Sequence, residues 1–157
     1  MDTYEIEFHV PAPRSDVYAF VSNVENLDRM TPAWLRFFVK TPRPVEVRLG
    51  TVIDYALRWR GLPMRWRSEI TDWRPLSVFT YEQRRGPYGR WIHEHEFYDE
   101  AGGTRVVDRV HYALPGPAWL SRTPIGRRVA RDVETIFQHR AGVLAQVFPA
   151  REQAAGG

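Results

Sequence analysis

The sequence predicts an α+β fold: a curved antiparallel sheet of about seven strands wrapped around one long C-terminal helix, with two short helices after the first strand. Three patterns carry that prediction. Apolar and polar residues alternate in short runs from about residue 52 to residue 114, the period of half-buried strands. Ile125, Val129, Val133, Ile136, Phe137, Leu144 and Val147 then form an apolar stripe at helical spacing over about six turns. Pro115-Gly116-Pro117 separates the two regimes. A helix this long cannot bury its stripe alone, and the concave side of the sheet is the one large apolar face on offer, so the helix must lie across it.

Taken in order, Tyr4, Ile6, Phe8 and Val10 alternate with Glu5, Glu7 and His9, a strand with one apolar face. Pro11 and Pro13 end it, and Pro13 suits the first turn of a helix. Val17, Phe20, Val21 and Val24 follow at helical spacing. A second short helix is expected over Val24–Met30, stopped at Thr31-Pro32 because the residue before proline avoids the α region. Next, Ile53, Tyr55, Leu57 and Trp59 oppose Asp54, Arg58 and Arg60. After a turn at Gly61-Leu62-Pro63, Met64, Trp66, Ser68 and Ile70 oppose Arg65, Arg67, Glu69 and Thr71. The pair reads as a hairpin with one apolar and one arginine-rich face. Val78–Gln83 is a further strand, and Gly86-Pro87-Tyr88-Gly89 is a turn. Trp91–Tyr98 and Arg105–Leu114 make a last hairpin around Glu100-Ala101-Gly102-Gly103. The long helix takes Thr123 as its N-cap and Pro124 as its first residue, and Pro149 ends it. Residues 1–150 are read as one domain and 151–157 as a flexible tail.

Composition narrows the function. The chain of 157 residues is long enough to bury a core without staples. It has no cysteine, which excludes a disulfide framework and a thiolate metal site. The opening MDTYEIEFHV carries neither the basic leader nor the apolar stretch of a secretory signal, and no run approaches 18 apolar residues. A cytoplasmic protein without membrane insertion, monomeric or homodimeric, is the expectation. The net charge of +3 spreads over 22 basic and 19 acidic residues, so no nucleic acid partner is expected despite a pI near 9.5. No nucleophile elbow, phosphate loop or paired-carboxylate motif is present, and no cofactor is expected.

A strongly twisted sheet around one helix leaves a space that side chains need not fill. Trp59, Trp66, Trp73, Trp91 and Trp119 gather in the segment that builds this space, as core or as walls of an apolar pocket. Parity assigns the inward residues. Trp91, His93, His95 and Phe97 share one face of the last hairpin, with Val106, Asp108, Val110, Tyr112 and Leu114 on the partner strand. The expected ligand contacts are Tyr55 and Leu57, Trp66 and Ile70, Phe79 and Tyr81 on the earlier strands. On the last hairpin they are Trp91, His93, His95, Phe97, Asp108, Val110 and Tyr112, and on the helix Val133 and Phe137.

His93, His95, Asp108 and Tyr112 are polar groups on an apolar face, and either plausible register sets Asp108 across from one histidine. Three readings stand open. The cluster can be structural, an inward carboxylate satisfied by imidazoles. It can anchor a ligand in the cavity. It can supply acid–base catalysis or a metal site, since His-x-His on a strand points two imidazoles the same way. A third metal ligand would have to be Asp108, because Glu94 and Glu96 face the other side, and no metal is expected. Arg58, Arg60, Arg65 and Arg67 read as a solvated outer face or as a basic patch for an acidic partner. Trp119 and Leu120 read as a lid over the cavity mouth or as an apolar anchor.

The stretches GPYGRWIHEHEF and GGTRVVDRVHYALP, together with HVPAPRSDVYAFVSNVENLDRMTP, resemble the SRPBCC or START-like (helix-grip) group, and within it the polyketide cyclase/dehydrase-like branch. The resemblance covers about residues 3–148. Gly86, Pro87, Trp91, His93, His95, Phe97, Asp108, Arg109 and Tyr112 stand where that branch has similar residues. Tyr81 departs from it, standing where related sequences often have a smaller acidic residue. The resemblance implies a deep hydrophobic cavity that binds or carries a small hydrophobic or aromatic molecule, lipid- or polyketide-like. The alternative it implies is an aromatase/cyclase- or dehydratase-type enzyme on a polyketide-like substrate, with His93, His95, Asp108 and Tyr112 as proton-transfer candidates.

Overall fold

The N-terminal alternation folds as strand β1 (Asp2–Val10) in a computed structural model that describes residues 1–150; the tail expected over 151–157 lies outside the described residues. Helix α1 (Arg14–Ser22) follows directly after Pro13. The helix expected over Val24–Met30 is instead a single 3-10 turn, Val24–Asn26, running into further turns. Asn23 separates it from α1, its backbone extended and its side chain accepting a 3.0 Å hydrogen bond from the Glu25 N–H. The bonds from the Leu27 N–H to the Val24 carbonyl and from the Thr31 N–H to that of Asp28 keep the tighter three-residue step. A second 3-10 turn, Ala33–Leu35, follows Pro32 and leads to the short strand β2 (Phe38–Val39).

Strands β3 (Val52–Trp59), β4 (Leu62–Arg74), β5 (Val78–Arg85), β6 (Arg90–Glu100) and β7 (Gly103–Ala113) complete a seven-stranded antiparallel sheet in the order β1-β7-β6-β5-β4-β3-β2. The turn of the β3–β4 hairpin is tighter than the sequence reading. Arg60 and Gly61 alone make it, at φ 50° and 81°, while Leu62 and Pro63 pair with Trp59 and Arg58. Glycine accepts that left-handed backbone without a steric cost. Pro63 is tolerated because the pairing of β4 with β5 begins only at Arg67, leaving one side of β4 unpartnered there. Two register irregularities in β4, at Arg67/Ser68 and between Ile70 and Asp72, add local twist and help the sheet to curl.

Helix α2 (Pro124–Val147) crosses the concave face, with the Thr123 hydroxyl accepting from the Gly126 N–H at 3.2 Å. Val133, Phe137 and Leu144 of the stripe are fully buried. Ile125 is not: at 68% exposure it lies before the helix reaches the sheet. The interior packs as two clusters. One joins Val129, Val133 and Phe137 of α2 to Trp91, Val110 and Tyr112. The other joins Val17 and Val21 of α1 to Ile53, Ile70, Phe79, Phe97 and Val106. Among the described residues no helix is long and apolar enough to cross a membrane.

Candidate functional site

Members of both clusters line a cavity of about 300 Å³ between β3–β6, α2 and the segment from Leu27 to Phe37. Of the expected contacts, Tyr55, Leu57, Trp66, Tyr81, Trp91, His93 and His95 lie on its wall. Ile70, Phe79, Phe97, Asp108, Val110, Tyr112, Val133 and Phe137 share the same inner faces but are packed into the core behind it. Strand parity tells which side chains look inward; it does not tell which of them meet α1 or α2 and which meet open space. The sequence reading also left out much of the wall. Leu27, Leu35 and Phe37 arrive from irregular backbone with no period to read. Trp59 and Met64 have the right parity, and Ile136 belongs to the helix stripe, read as core first and as one wall of any cavity, without being among the expected contacts.

Aromatic contacts shape the walls. Trp66 meets Trp91 edge-on at 5.2 Å between ring centroids and Tyr88 at 5.5 Å. The tip of the β3–β4 hairpin is latched to the helix: Trp59 Nε1 donates to Asp132 Oδ2 at 2.8 Å, and the Arg60 and Arg128 guanidinium groups each reach Asp132 at 3.6 Å. Arg60 thereby leaves the outer face where parity put it, while Arg58, Arg65 and Arg67 stay exposed on it. Ile125 is the one exposed residue of the lining and marks the rim. Trp119, in the 3-10 turn Ala118–Arg122, is 62% exposed, and neither it nor Leu120 lines the cavity. That turn is held tightly against the start of α2. A Cβ on Gly126 would stand 2.3 Å from the Ser121 carbonyl oxygen and 2.4 Å from that of Leu120.

The buried end of the cavity is polar. His95 pairs directly with Asp108 across β6 and β7, and His93 lies one inward position away. His95 Nδ1 is 2.6 Å and His93 Nε2 3.5 Å from Asp108 Oδ1, yet neither contact has the alignment of a hydrogen bond. His95 stacks on Phe79 at 4.3 Å, and Phe137 meets His93 edge-on at 4.7 Å. Burial, reinforced by the neighbouring His95, pushes His93 down to about 3, and burial lowers His95 as well. Burial by itself would raise the Asp108 carboxyl, but the two adjacent imidazoles outweigh it and hold the group well below its usual range. The cluster at neutral pH is therefore a carboxylate between two neutral imidazoles. Burial raises the Tyr55 and Tyr81 hydroxyls, so both stay protonated.

His93, His95 and Asp108 offer three potential metal-ligand atoms within 4.8 Å of one another. The fit is poor. Ligands around a tetrahedral ion with bonds of roughly 2.0 Å stand about 3.3 Å apart, and the 2.6 Å between His95 and Asp108 leaves no room for the ion between them.

One residue that the sequence reading passed over completes this end. Arg140 stands in the apolar stripe of α2, three residues after Phe137 and four before Leu144, where its spacing alone should have drawn notice. It lines the cavity, is 9% exposed, and has its guanidinium carbon 5.5 Å from the Phe137 ring centroid.

The family described as "Polyketide cyclase / dehydrase and lipid transport" matches residues 10–138. A search of curated protein sequences gave no match. Among solved structures, the Zhui aromatase/cyclase from Streptomyces sp. R1128 superposes with a TM-score of 0.73 at 19% identity, covering 99% of this chain and 98% of that one. TTHA0849 from Thermus thermophilus gives 0.68 at 21% identity over 93% and 99% of the two chains. A ginseng major latex-like protein from Panax ginseng gives 0.69 at 9% identity over 94% and 97%. At these identities the structural likeness speaks for the fold. The family match spans most of the chain, and the chain belongs to the polyketide cyclase / dehydrase and lipid transport family of helix-grip proteins.

Proposed function

We propose that the protein binds or carries a small, largely apolar molecule, lipid- or polyketide-like, in the cavity between sheet and helix. The observation that carries this reading is the cavity itself. It is drug-sized and walled mainly by aliphatic and aromatic side chains, with His93, His95 and Arg140 at its buried end. The small molecule is favoured over a nucleic acid partner because the exposed arginines of the sheet are partly neutralised, Arg67 by Asp54 and Arg84 by Glu69. A cytoplasmic monomer or homodimer is part of the same proposal. Titration with the neutral fluorophore N-phenyl-1-naphthylamine tests it: one-to-one binding with quenching of tryptophan emission is expected, and no binding at micromolar concentrations of either this probe or its anionic 8-sulfonate rejects the reading.

An aromatase/cyclase- or dehydratase-type activity in the same cavity is the second reading, favoured by His93 and His95 on the wall. It is the weaker one. The polar atoms of both imidazoles nearest Asp108 are buried against that carboxylate, and a histidine pushed down to about 3 is a poor general base at neutral pH.

A further inference from the structure

Among the described residues, the buried side-chain polar atoms without a hydrogen-bond partner are His93 Nε2, His95 Nδ1, Asp108 Oδ1 and Arg140 Nε. All four belong to residues at the polar end of one cavity or directly behind it. The first three touch one another. Arg140 does not: within the described residues its guanidinium makes no hydrogen bond, and no carboxylate comes within ion-pair distance of it. A lysine so placed could shed its proton, but a guanidinium stays charged, so the cavity permanently holds a buried cation. The Phe137 ring offers it only a partial counterweight. Asp132, the one acid of the lining, is already committed to Trp59, Arg60 and Arg128 at the hairpin latch.

We propose, resting on the reading of the cavity as a ligand site, that the ligand is an acid whose anionic group pairs with Arg140. The lining residues of α2 set its orientation. Ile125, Val129, Asp132, Ile136 and Arg140 follow one another at steps of three or four, a single ridge facing the cavity from its exposed rim to its buried end. A molecule lying along that ridge puts its charge at Arg140, where the planar fork of donors suits a carboxylate or a similar oxyanion. Its apolar body then passes between Ile136 and the Trp66–Trp91 wall.

Two probes with the same skeleton separate charge from shape: anionic 8-anilino-1-naphthalenesulfonate and neutral N-phenyl-1-naphthylamine. Their dissociation constants are measured for the full chain and for Arg140→Met and Arg140→Lys, at one-to-one stoichiometry and alongside thermal unfolding. The unaltered protein is expected to prefer the anionic probe. Arg140→Met should weaken the anionic probe by about 10- to 100-fold, the worth of a charged hydrogen bond, and leave the neutral probe unchanged. Arg140→Lys should keep part of the preference. The melting temperature of Arg140→Met should hold or rise, since an unpaired buried charge is gone. An unchanged ratio of affinities in Arg140→Met overturns the proposal, as does a fall in melting temperature with loss of both probes, which would make Arg140 structural. Binding of the neutral probe alone by the unaltered protein overturns the acid and leaves the cavity reading standing; binding of neither overturns both.

Discussion

Acidification from pH 7 should destabilise this protein well before ordinary carboxylates titrate, and the buried histidines set how steeply. In the fold His93 is pushed down to about 3, against 6.5 for an unhindered imidazole. Between those limits the unfolded chain holds a proton that the folded one does not. Stability is therefore complete above pH 6.5 and is lost as the pH falls toward the folded value, by up to about 1.4 kcal/mol per pH unit. His95 is lowered in the same direction, so a second proton adds to the slope. From pH 6.5 to 4.5 the loss is about 2–3 kcal/mol for His93 alone, a large part of a typical total of about 5–15 kcal/mol, and His95 adds to it in the same direction. Asp108 extends the trend: its folded value is depressed, so its contribution is present above the ordinary carboxylate value of 3.8 and lost below it. Urea unfolding at half-unit pH steps measures the slope directly, and His93→Gln should make it markedly shallower. The opposite picture, an imidazolium paired with the Asp108 carboxylate, makes stability rise as the pH drops toward 6.5 and stay level below it. A flat or rising profile between pH 7 and 4.5, or a slope unchanged in His93→Gln, refutes the neutral-imidazole cluster.

Gly126→Ala should cost at least about 1–3 kcal/mol, because its new Cβ meets two backbone carbonyl oxygens that cannot move without displacing the Ala118–Arg122 turn from α2; thermal unfolding reads the loss. Purified protein should carry no stoichiometric zinc by elemental analysis, and added zinc should not raise the melting temperature. Zinc at one equivalent, lost in His93→Ala/His95→Ala, would show that His95 and Asp108 separate to admit an ion.

How much of this was legible in the sequence varies from element to element for physical reasons. The strict period of two placed Trp91, His93, His95 and Phe97 on one face and set Asp108 across from one of the two histidines; the register of β6 and β7 selects His95. The Thr123-Pro124 start of α2 was equally plain, because its cap chemistry is local. The short helix after α1 was misjudged because the apolar spacing of Val24 and Leu27 suits an α-helix and a 3-10 turn alike, and the backbone there takes the three-residue step. The hairpin turn was read as beginning one residue late and ending two residues late, since Leu62 and Pro63 look like turn chemistry until Arg60-Gly61 is seen to close the strands alone. The cavity wall was only half legible. Val110 and Leu57 have the same inward parity, yet Val110 lies in the core with Val133 and Phe137 while Leu57 faces the space. That distinction depends on where α2 crosses, which no local pattern encodes. Arg140 was legible and overlooked: a charge at a core position of an amphipathic stripe is an anomaly, and the stripe was read for its apolar members alone.

The cavity itself is tested most directly by filling it. Leu57 and Ile136 line it from opposite walls, sheet and helix, and both are only half-buried. In a tightly packed interior, Leu57→Trp/Ile136→Trp would overpack each site at about 1–3 kcal/mol or more. Into open space of about 300 Å³ the two rings should enter at a cost of less than about 1 kcal/mol. The measurement pairs urea unfolding of the double variant with titration of N-phenyl-1-naphthylamine against both proteins. Unchanged stability with binding weakened at least about tenfold is the expected result. Severe destabilisation would show that the interior is already full, and undiminished probe binding by a stable variant would place the ligand somewhere else.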